Sequence, residues 1–171
     1  IDQSKYPNND GNRSLLYLHE SAPMNALMSL ANAESHNFTA EVLLRHAAKS
    51  WALDIANDRT YSWLESKNID YGQINLVDGS GLSTINKLNS RLLSSLLFHM
   101  SYHPYAEFYR STMAISGERG TLYKYFTQKN LRGMLIGKTG TLENVRSVSG
   151  ILYKGNTELF ISIISNNAIN P

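Results

Sequence analysis

Leu135-Ile136-Gly137-Lys138-Thr139-Gly140-Thr141 places one lysine, two threonine hydroxyls and two glycines in a short, otherwise apolar run. Together with Gly133 it resembles a phosphate-binding loop, but that pattern needs one more residue between its glycines. Such a loop must also open a helix whose N-terminus faces the phosphates, whereas the residues after Thr141 are rich in β-branched types. A strand fits better. Alternation then puts Lys138 and Gly140 on one face, and the bare Gly140 would let a bound chain lie against the strand. For Lys138-Thr139-Gly140 alone an ordinary sheet strand with a surface lysine is the better reading, because three residues recur by chance, so its neighbours must decide.

From Asn130-Leu131-Arg132-Gly133 onward the pattern is β. Leu135–Thr141, Arg146–Tyr153 and Glu158–Ser165 read as three strands, with Lys154-Gly155-Asn156-Thr157 as a hairpin turn. A meander preceded by a helical block predicts an α+β fold, with the helices packed on an antiparallel sheet.

The helical block is legible from its apolar spacing. Ser14–His19 contains a short apolar run and predicts a buried strand. Ser21-Ala22-Pro23 predicts a helix start, with a capping hydroxyl and then proline in the first turn. Met24, Leu27, Met28 and Ala31 follow at helical spacing, and the pattern resumes at Phe38 through Val42, Leu43, Leu44 and Ala47. Ser35-His36-Asn37 therefore falls at a break between two helices. Either Ser35 or Asn37 would cap the second, or their side chains would point into a cleft. Trp51–Lys67 reads as an interrupted helix packed by its aromatics, and Ile74–Val77 as a short strand. Asp78-Gly79-Ser80-Gly81 is a glycine-rich turn able to hold an anion or a metal, although most such turns are only turns. Ser83 is predicted to cap a helix whose stripe runs Ile85, Leu88, Leu92, Leu96 and Met100. Near its end, His99 and His103 have metal-ligand spacing. No acidic partner follows and Pro104 ends the helix, so no metal or cofactor is assigned. Ser116–Thr121 reads as a solvated connector capped at Thr121.

Bulk properties narrow the class. The 171 residues suit one domain with a real core, and a net charge of +2 gives no reason to expect nucleic acid. The absence of cysteine excludes disulfides and thiol nucleophiles within this chain. The opening Ile1-Asp2-Gln3-Ser4-Lys5 lacks the basic-then-apolar order of a signal peptide.

Three segments, in order, resemble one family. Ala33-Glu34-Ser35-His36-Asn37-Phe38-Thr39-Ala40-Glu41 is similar to the Ser-x-Asn segment of the D-alanyl-D-alanine carboxypeptidases of the peptidase S13, or penicillin-binding-protein 4, type. Val77-Asp78-Gly79-Ser80-Gly81-Leu82-Ser83, with Asn86 beyond it, resembles their DGSGLS segment. Gly137-Lys138-Thr139-Gly140-Thr141-Leu142, followed by Val148-Ser149-Gly150, resembles their KTGTL strand and its successor. The DGSGLS segment separates the chain from class A β-lactamases, the nearest sibling enzymes. The resemblance implies a β-lactamase/transpeptidase-like fold, with residues 1–171 forming the C-terminal part of that domain.

The family's nucleophile is the serine of a Ser-x-x-Lys motif. No lysine in this chain has serine three places before it. The resemblance therefore implies a serine-type carboxypeptidase, with endopeptidase activity as a companion expectation, whose nucleophile and lysine base lie outside these residues. Ser35, Asn37 and Lys138 would be its catalytic residues here. Thr139, Gly140 and Thr141 would bind substrate, with Asp78 and Ser80 in a secondary place that more simply fixes the turn. The implied partners are a peptidoglycan stem peptide ending in D-Ala-D-Ala, β-lactams, and the remaining N-terminal part of the same protein. The implied location is the bacterial cell envelope or periplasm. The alternative is a non-catalytic module that binds peptidoglycan or β-lactams.

Overall fold

The computed structural model describes residues 17–167. Five helices precede the sheet: α1 (Met24–Asn32), α2 (Asn37–Ala47), α3 (Leu53–Ser66), α4 (Ser90–Ser101) and α5 (Ala106–Ser111). The strands are β1 (Ala114–Ile115), β2 (Leu135–Leu142), β3 (Val145–Lys154) and β4 (Thr157–Asn166), arranged β1-β2-β3-β4 and antiparallel throughout. The expected meander is β2–β4. The added β1 has only two residues, too few to leave a periodic signal in sequence.

The register explains two glycines. Gly137 faces Gly150 across β2 and β3. A methyl group on Gly150 would sit 2.4 Å from the Ile136 carbonyl oxygen, and one on Gly137 would sit 2.4 Å from that of Ser149. Only two glycines allow the strands this approach.

Several local expectations are corrected. The run expected as a strand over Ser14–His19 lies partly outside the described residues; within them, Tyr17 and Leu18 are 78% and 66% exposed and form no strand. Pro23, with extended ψ of 152°, is itself the residue that caps α1, and the Ser21 hydroxyl donates to the Ala22 carbonyl instead of accepting from the helix. Ile74–Val77 forms no strand, only an isolated bridge between Asn75 and Lys87. That bridge also moves the start of α4. Both main-chain groups of Lys87 are spent on Asn75, so the segment from Ser83 cannot wind into helix. Asn89 takes over as the cap, with Oδ1 accepting from Leu92 N–H at 2.8 Å and Nδ2 donating to the Tyr71 carbonyl at 2.7 Å. Ile85 and Leu88, expected in the stripe, precede the helix and are exposed, while Leu92 and Leu97 are buried.

Two cores result. One joins Leu64 and Ile69 to Leu92, with Tyr71, Ile74 and Leu96 around them. The other joins Ala33, Ala114, Leu122 and Leu135, and Val148, Leu152 and Ile161 of the sheet pack on it. The second core crosses the chain. It fixes the residue two places before Ser35 against the strand that carries Lys138. On the sheet, α4 contributes an edge-on contact between Phe98 and Phe160 at 5.5 Å. From α5, Arg110 makes paired hydrogen bonds to both oxygens of Glu158, at 2.7 and 2.9 Å.

Ser116–Thr121 is no solvated connector. Ser116 is fully buried; its Oγ donates to the Leu131 carbonyl and accepts from Leu135 N–H, both at 3.1 Å. The segment ends in a 3-10 turn, Gly120–Leu122, whose Leu122 enters the second core. Leu122 is 1% exposed, so replacing it with alanine opens a void at that crossing. It is expected to cost about 3 kcal/mol, read as a lower urea midpoint with an unchanged slope.

Candidate active site

The site is assembled at the break between α1 and α2. Helix α1 ends at Asn32, and the chain then turns through Ser35, which adopts φ +57°. That left-handed conformation is uncommon for a residue with a side chain and is retained where the surroundings impose it. Here they do. Thr121 N–H donates to the Ala33 carbonyl at 2.9 Å, and Gly120 lies so close that a methyl group on it would sit 2.4 Å from that oxygen. Gly120 is itself at φ +64°.

The cap of α2 is neither Ser35 nor Asn37. His36 Nδ1 accepts from Thr39 N–H at 3.4 Å and lies 2.8 Å from Thr39 Oγ1. Because the imidazole satisfies the helix end, the flanking side chains are free for other partners. Ser35 Oγ accepts a 2.8 Å hydrogen bond from Lys138 Nζ, across 103 residues of chain. Asn37, in the orientation its neighbours require, donates from Nδ2 to the Ser35 and Ser80 carbonyls, each at 3.2 Å. The structure thus brings Ser35, Asn37, Lys138 and Ser80 together.

Lys138 also donates to the Thr139 carbonyl at 3.3 Å. Burial lowers its pKa from the ordinary lysine value, because a charged ammonium loses hydration there. Thr139 and Thr141 occupy an exposed edge. Leu135 directs both its N–H and its C=O toward β1, to Ser116, so the same groups of Gly137, Thr139 and Thr141 point that way by alternation. β1 ends opposite Gly137 and Ile136. Beyond it, the Thr139 and Thr141 main chain faces no strand among the described residues. Thr139, Gly140 and Thr141 line a cavity of about 750 Å³ walled by Tyr123, Phe126 and Val148. Ser35 and Asn37 lie outside that lining. Gly140 has a reason within the sheet, since a methyl group there would meet Ser147 Oγ at 2.5 Å.

Asp78 is placed as a turn organiser. Its carboxylate accepts from Gly81 N–H, Asn86 Nδ2 and Ser83 N–H at 2.8–2.9 Å. Partial burial pushes its pKa up, but the hydrogen bonds from Asn86, Gly81, Ser83 and Ser80 outweigh this and hold it below the usual carboxylate value. Asn86 Oδ1 in turn accepts from Val77 N–H at 2.8 Å. Among the described residues no cluster of three His, Cys, Asp or Glu could hold a metal. His99 instead packs edge-on against Trp63 at 5.9 Å.

Sequence reasoning passed over Glu41. Its Oε2 accepts from Gly79 N–H at 2.7 Å and Ser80 N–H at 3.2 Å, and its Oε1 accepts from Arg45 Nε at 2.9 Å. The available signal was helical spacing: Asn37, Glu41 and Arg45 recur every four residues and share one face of α2.

A lysine whose folded pKa is lowered carries a stability cost that is complete below the folded pKa. The cost fades as pH rises toward the unfolded value of 10.5. The unfolding free energy of the native chain is therefore expected to rise relative to Lys138→Met as pH climbs from neutral toward 10.5, measured by urea unfolding of both proteins at each pH.

Comparison with known proteins accords with this geometry. The model of the D-Ala-D-Ala carboxypeptidase 3 (S13) family matches residues 3–171. A D-alanyl-D-alanine carboxypeptidase of Actinomadura sp. (strain R39) is 26% identical over 164 residues, covering 90% of this chain and 30% of that protein. A carboxypeptidase of Mycobacterium tuberculosis is 31% identical over 160 residues, covering 87% of this chain and 35% of its own length. The crystal structure of penicillin binding protein 4 from Haemophilus influenzae superposes with a TM-score of 0.80 at 26% identity, over 90% of this chain and 36% of that one. The chain thus spans about a third of the length of the relatives it matches. With a match over nearly all of its residues, the chain belongs to the D-Ala-D-Ala carboxypeptidase 3 (S13) family.

Proposed function

We propose that these residues form the C-terminal part of a penicillin-binding, transpeptidase-like domain in a serine-type D-alanyl-D-alanine carboxypeptidase. Its substrate is a peptidoglycan stem peptide in the bacterial envelope or periplasm, and β-lactams acylate it as substrate mimics. Endopeptidase cleavage of cross-linked stems is a companion activity of the same site. The observation that carries the reading is the 2.8 Å contact between Lys138 Nζ and Ser35 Oγ, made while Ser35 is held at φ +57°. Membership of the carboxypeptidase family and the penicillin named in the Haemophilus protein support it.

The chemistry is acyl transfer. A serine hydroxyl, activated by a neighbouring base, attacks the carbonyl carbon between the two D-alanines. The C–N bond breaks, and the leaving amine takes a proton. Ser35 is placed to relay that proton, since its hydroxyl can donate while its oxygen accepts from Lys138. Lys138 supplies positive potential for the terminal carboxylate, with the Thr139 and Thr141 hydroxyls as donors beside it. Thr141 N–H, on the open edge of β2, is half of an oxyanion hole. Asn37 contacts the acyl side. Water then hydrolyses the acyl-enzyme. The attacking serine and its lysine are not among these residues, because the sequence has no Ser-x-x-Lys. They belong to another part of the protein. That same absence favours a second reading, a non-catalytic module that binds the stem peptide without cleaving it.

Intact mass after incubation with a labelled penicillin tests the proposal. The chain alone is expected to gain no adduct. Joined to a segment carrying Ser-x-x-Lys, it is expected to gain one equivalent, and Lys138→Ala should slow this about a hundredfold. An adduct on the isolated chain would overturn the assignment of the nucleophile. Titration with a stem peptide ending in D-Ala-D-Ala separates the second reading: Lys138-dependent binding without any acylation of the joined protein supports it.

A further inference from the structure

Helix α2 is capped by a side chain that titrates. His36 lies at φ −76° and ψ 104°, the extended backbone of a helix cap. Its Nδ1 accepts from Thr39 N–H at 3.4 Å and lies 2.8 Å from Thr39 Oγ1. The imidazole is exposed, and Thr39 is its one hydrogen-bonding partner among the described residues. Nδ1 accepts a hydrogen bond only when it carries no proton. A serine or asparagine cap keeps its acceptor at every pH, whereas imidazoles lose theirs over roughly pH 5 to 8.

A protonated ring would meet nothing that compensates it. It gives up the Thr39 N–H and brings positive charge to the positive end of the helix dipole. The first turn of α2 holds no acidic residue, and α1 carries no charged side chain. The ionisable groups on the other elements around the break are Glu34, Glu41, Asp78, Arg119 and Lys138. Glu34 is exposed in the loop itself. Glu41 and Asp78 accept from main-chain N–H groups of the 78–83 segment, and Glu41 also from Arg45. Arg119 reaches Ser29 Oγ at 3.3 Å, and Lys138 reaches Ser35. No ion pair joins any of them to His36 among the described residues.

A replacement cap is within reach. Asn37 stands two places before Thr39, the spacing from which a cap accepts from a helix amide, and asparagine is among the strongest caps. Moving the cap there takes the Asn37 side chain off the Ser35 and Ser80 carbonyls and starts α2 one residue later. Ser35, at φ +57°, sits between an Ala33 held by Thr121 N–H and the capped helix. The turn then loses one of its two fixed ends.

We infer that His36 is a positioning residue for Ser35 and Asn37: its unprotonated Nδ1 holds the start of α2, and its protonation passes the cap to Asn37 and releases Ser35 from Lys138. The Ser35-His36-Asn37 break is thereby assembled at neutral pH and undone in acid. The consequence for acylation rests on the reading of Ser35 as proton relay given above.

Two readouts test the inference. In the isotope-labelled 171-residue chain, the Thr39 amide is expected to lose exchange protection about fivefold, the size of one helix cap, as pH falls from about 7.5 to 5. The Ile136 and Ile151 amides of the sheet are expected to stay unchanged. His36→Asn, whose cap does not titrate, is expected to keep Thr39 protected throughout. In the chain joined to its Ser-x-x-Lys segment, the native rate of penicillin acylation is expected to fall about fivefold further over that interval than the rate of His36→Asn. His36→Ala is expected to be slow at both ends, with no extra loss in acid. Parallel pH profiles for the native protein and His36→Asn overturn the inference. So does Thr39 protection that is constant with pH, or that is lost equally across the sheet. If the joined protein takes up no penicillin at any pH, the proposed function falls instead, and Thr39 exchange still decides whether His36 holds the cap.

Discussion

The hydrogen bond from Lys138 to Ser35 joins two points 103 residues apart, and most of the surrounding structure serves to make it possible. One end lies on a strand and the other in a helix break. Neither element controls the distance between them. That task falls to the core of Ala33, Ala114, Leu122 and Leu135, in which Ala33 is 1% exposed and fixed by the Thr121 N–H. The strained φ of Ser35 follows from this anchoring. With Ala33 held on one side and α2 capped on the other, few residues remain in which to reverse direction, and the left-handed conformation at Ser35 closes the turn.

His36 shows how a motif can divide its labour. In Ser35-His36-Asn37 the middle residue supplies the helix cap, and the outer two are released to Lys138 and Ser80. Capping oxygens on Ser35 or Asn37 were the natural expectation from sequence, since both types are strong caps. What the sequence could not convey is that each has a partner from a distant segment. The same limit explains the start of α4. The apolar stripe reads correctly at Leu92 and Leu96, but Ile85 and Leu88 continue it by chance. Only the pairing of Asn75 with Lys87 shows that the backbone there is already committed. Ser116–Thr121 was misread for a related reason. Its polar residues suggest solvent, yet Ser116 is buried because two main-chain groups from Leu131 and Leu135 satisfy its hydroxyl.

Where the sequence was legible, the information was local. Strands β2, β3 and β4 follow from alternation with glycine and asparagine at the reversal, and the structure moves their limits by only one residue. Asp78-Gly79-Ser80-Gly81 was legible as a turn because Asp78 accepts from residues three to eight places ahead. The contact of Lys138 with Ser35, and the edge left open beyond β1, were not legible, since nothing in either segment alone specifies the other.

Burial of Lys138 is a cost that the fold accepts. An ammonium placed in part away from water has its pKa lowered, and a serine oxygen and one carbonyl are its only described partners, with no carboxylate among them. A structural lysine would be better served by a carboxylate, which would restore the charge balance. A carboxylate there would also neutralise the positive potential that, in the proposed function, receives the terminal carboxylate. The chain supplies carboxylates nearby, at Asp78 and Glu41, but spends both on main-chain N–H groups and, for Glu41, on Arg45. Negative charge is thus used to fix the 78–81 turn against α2 and is kept off Lys138. The arrangement leaves Lys138 with a hydroxyl and a carbonyl oxygen as its described partners, on the strand whose edge continues beyond β1.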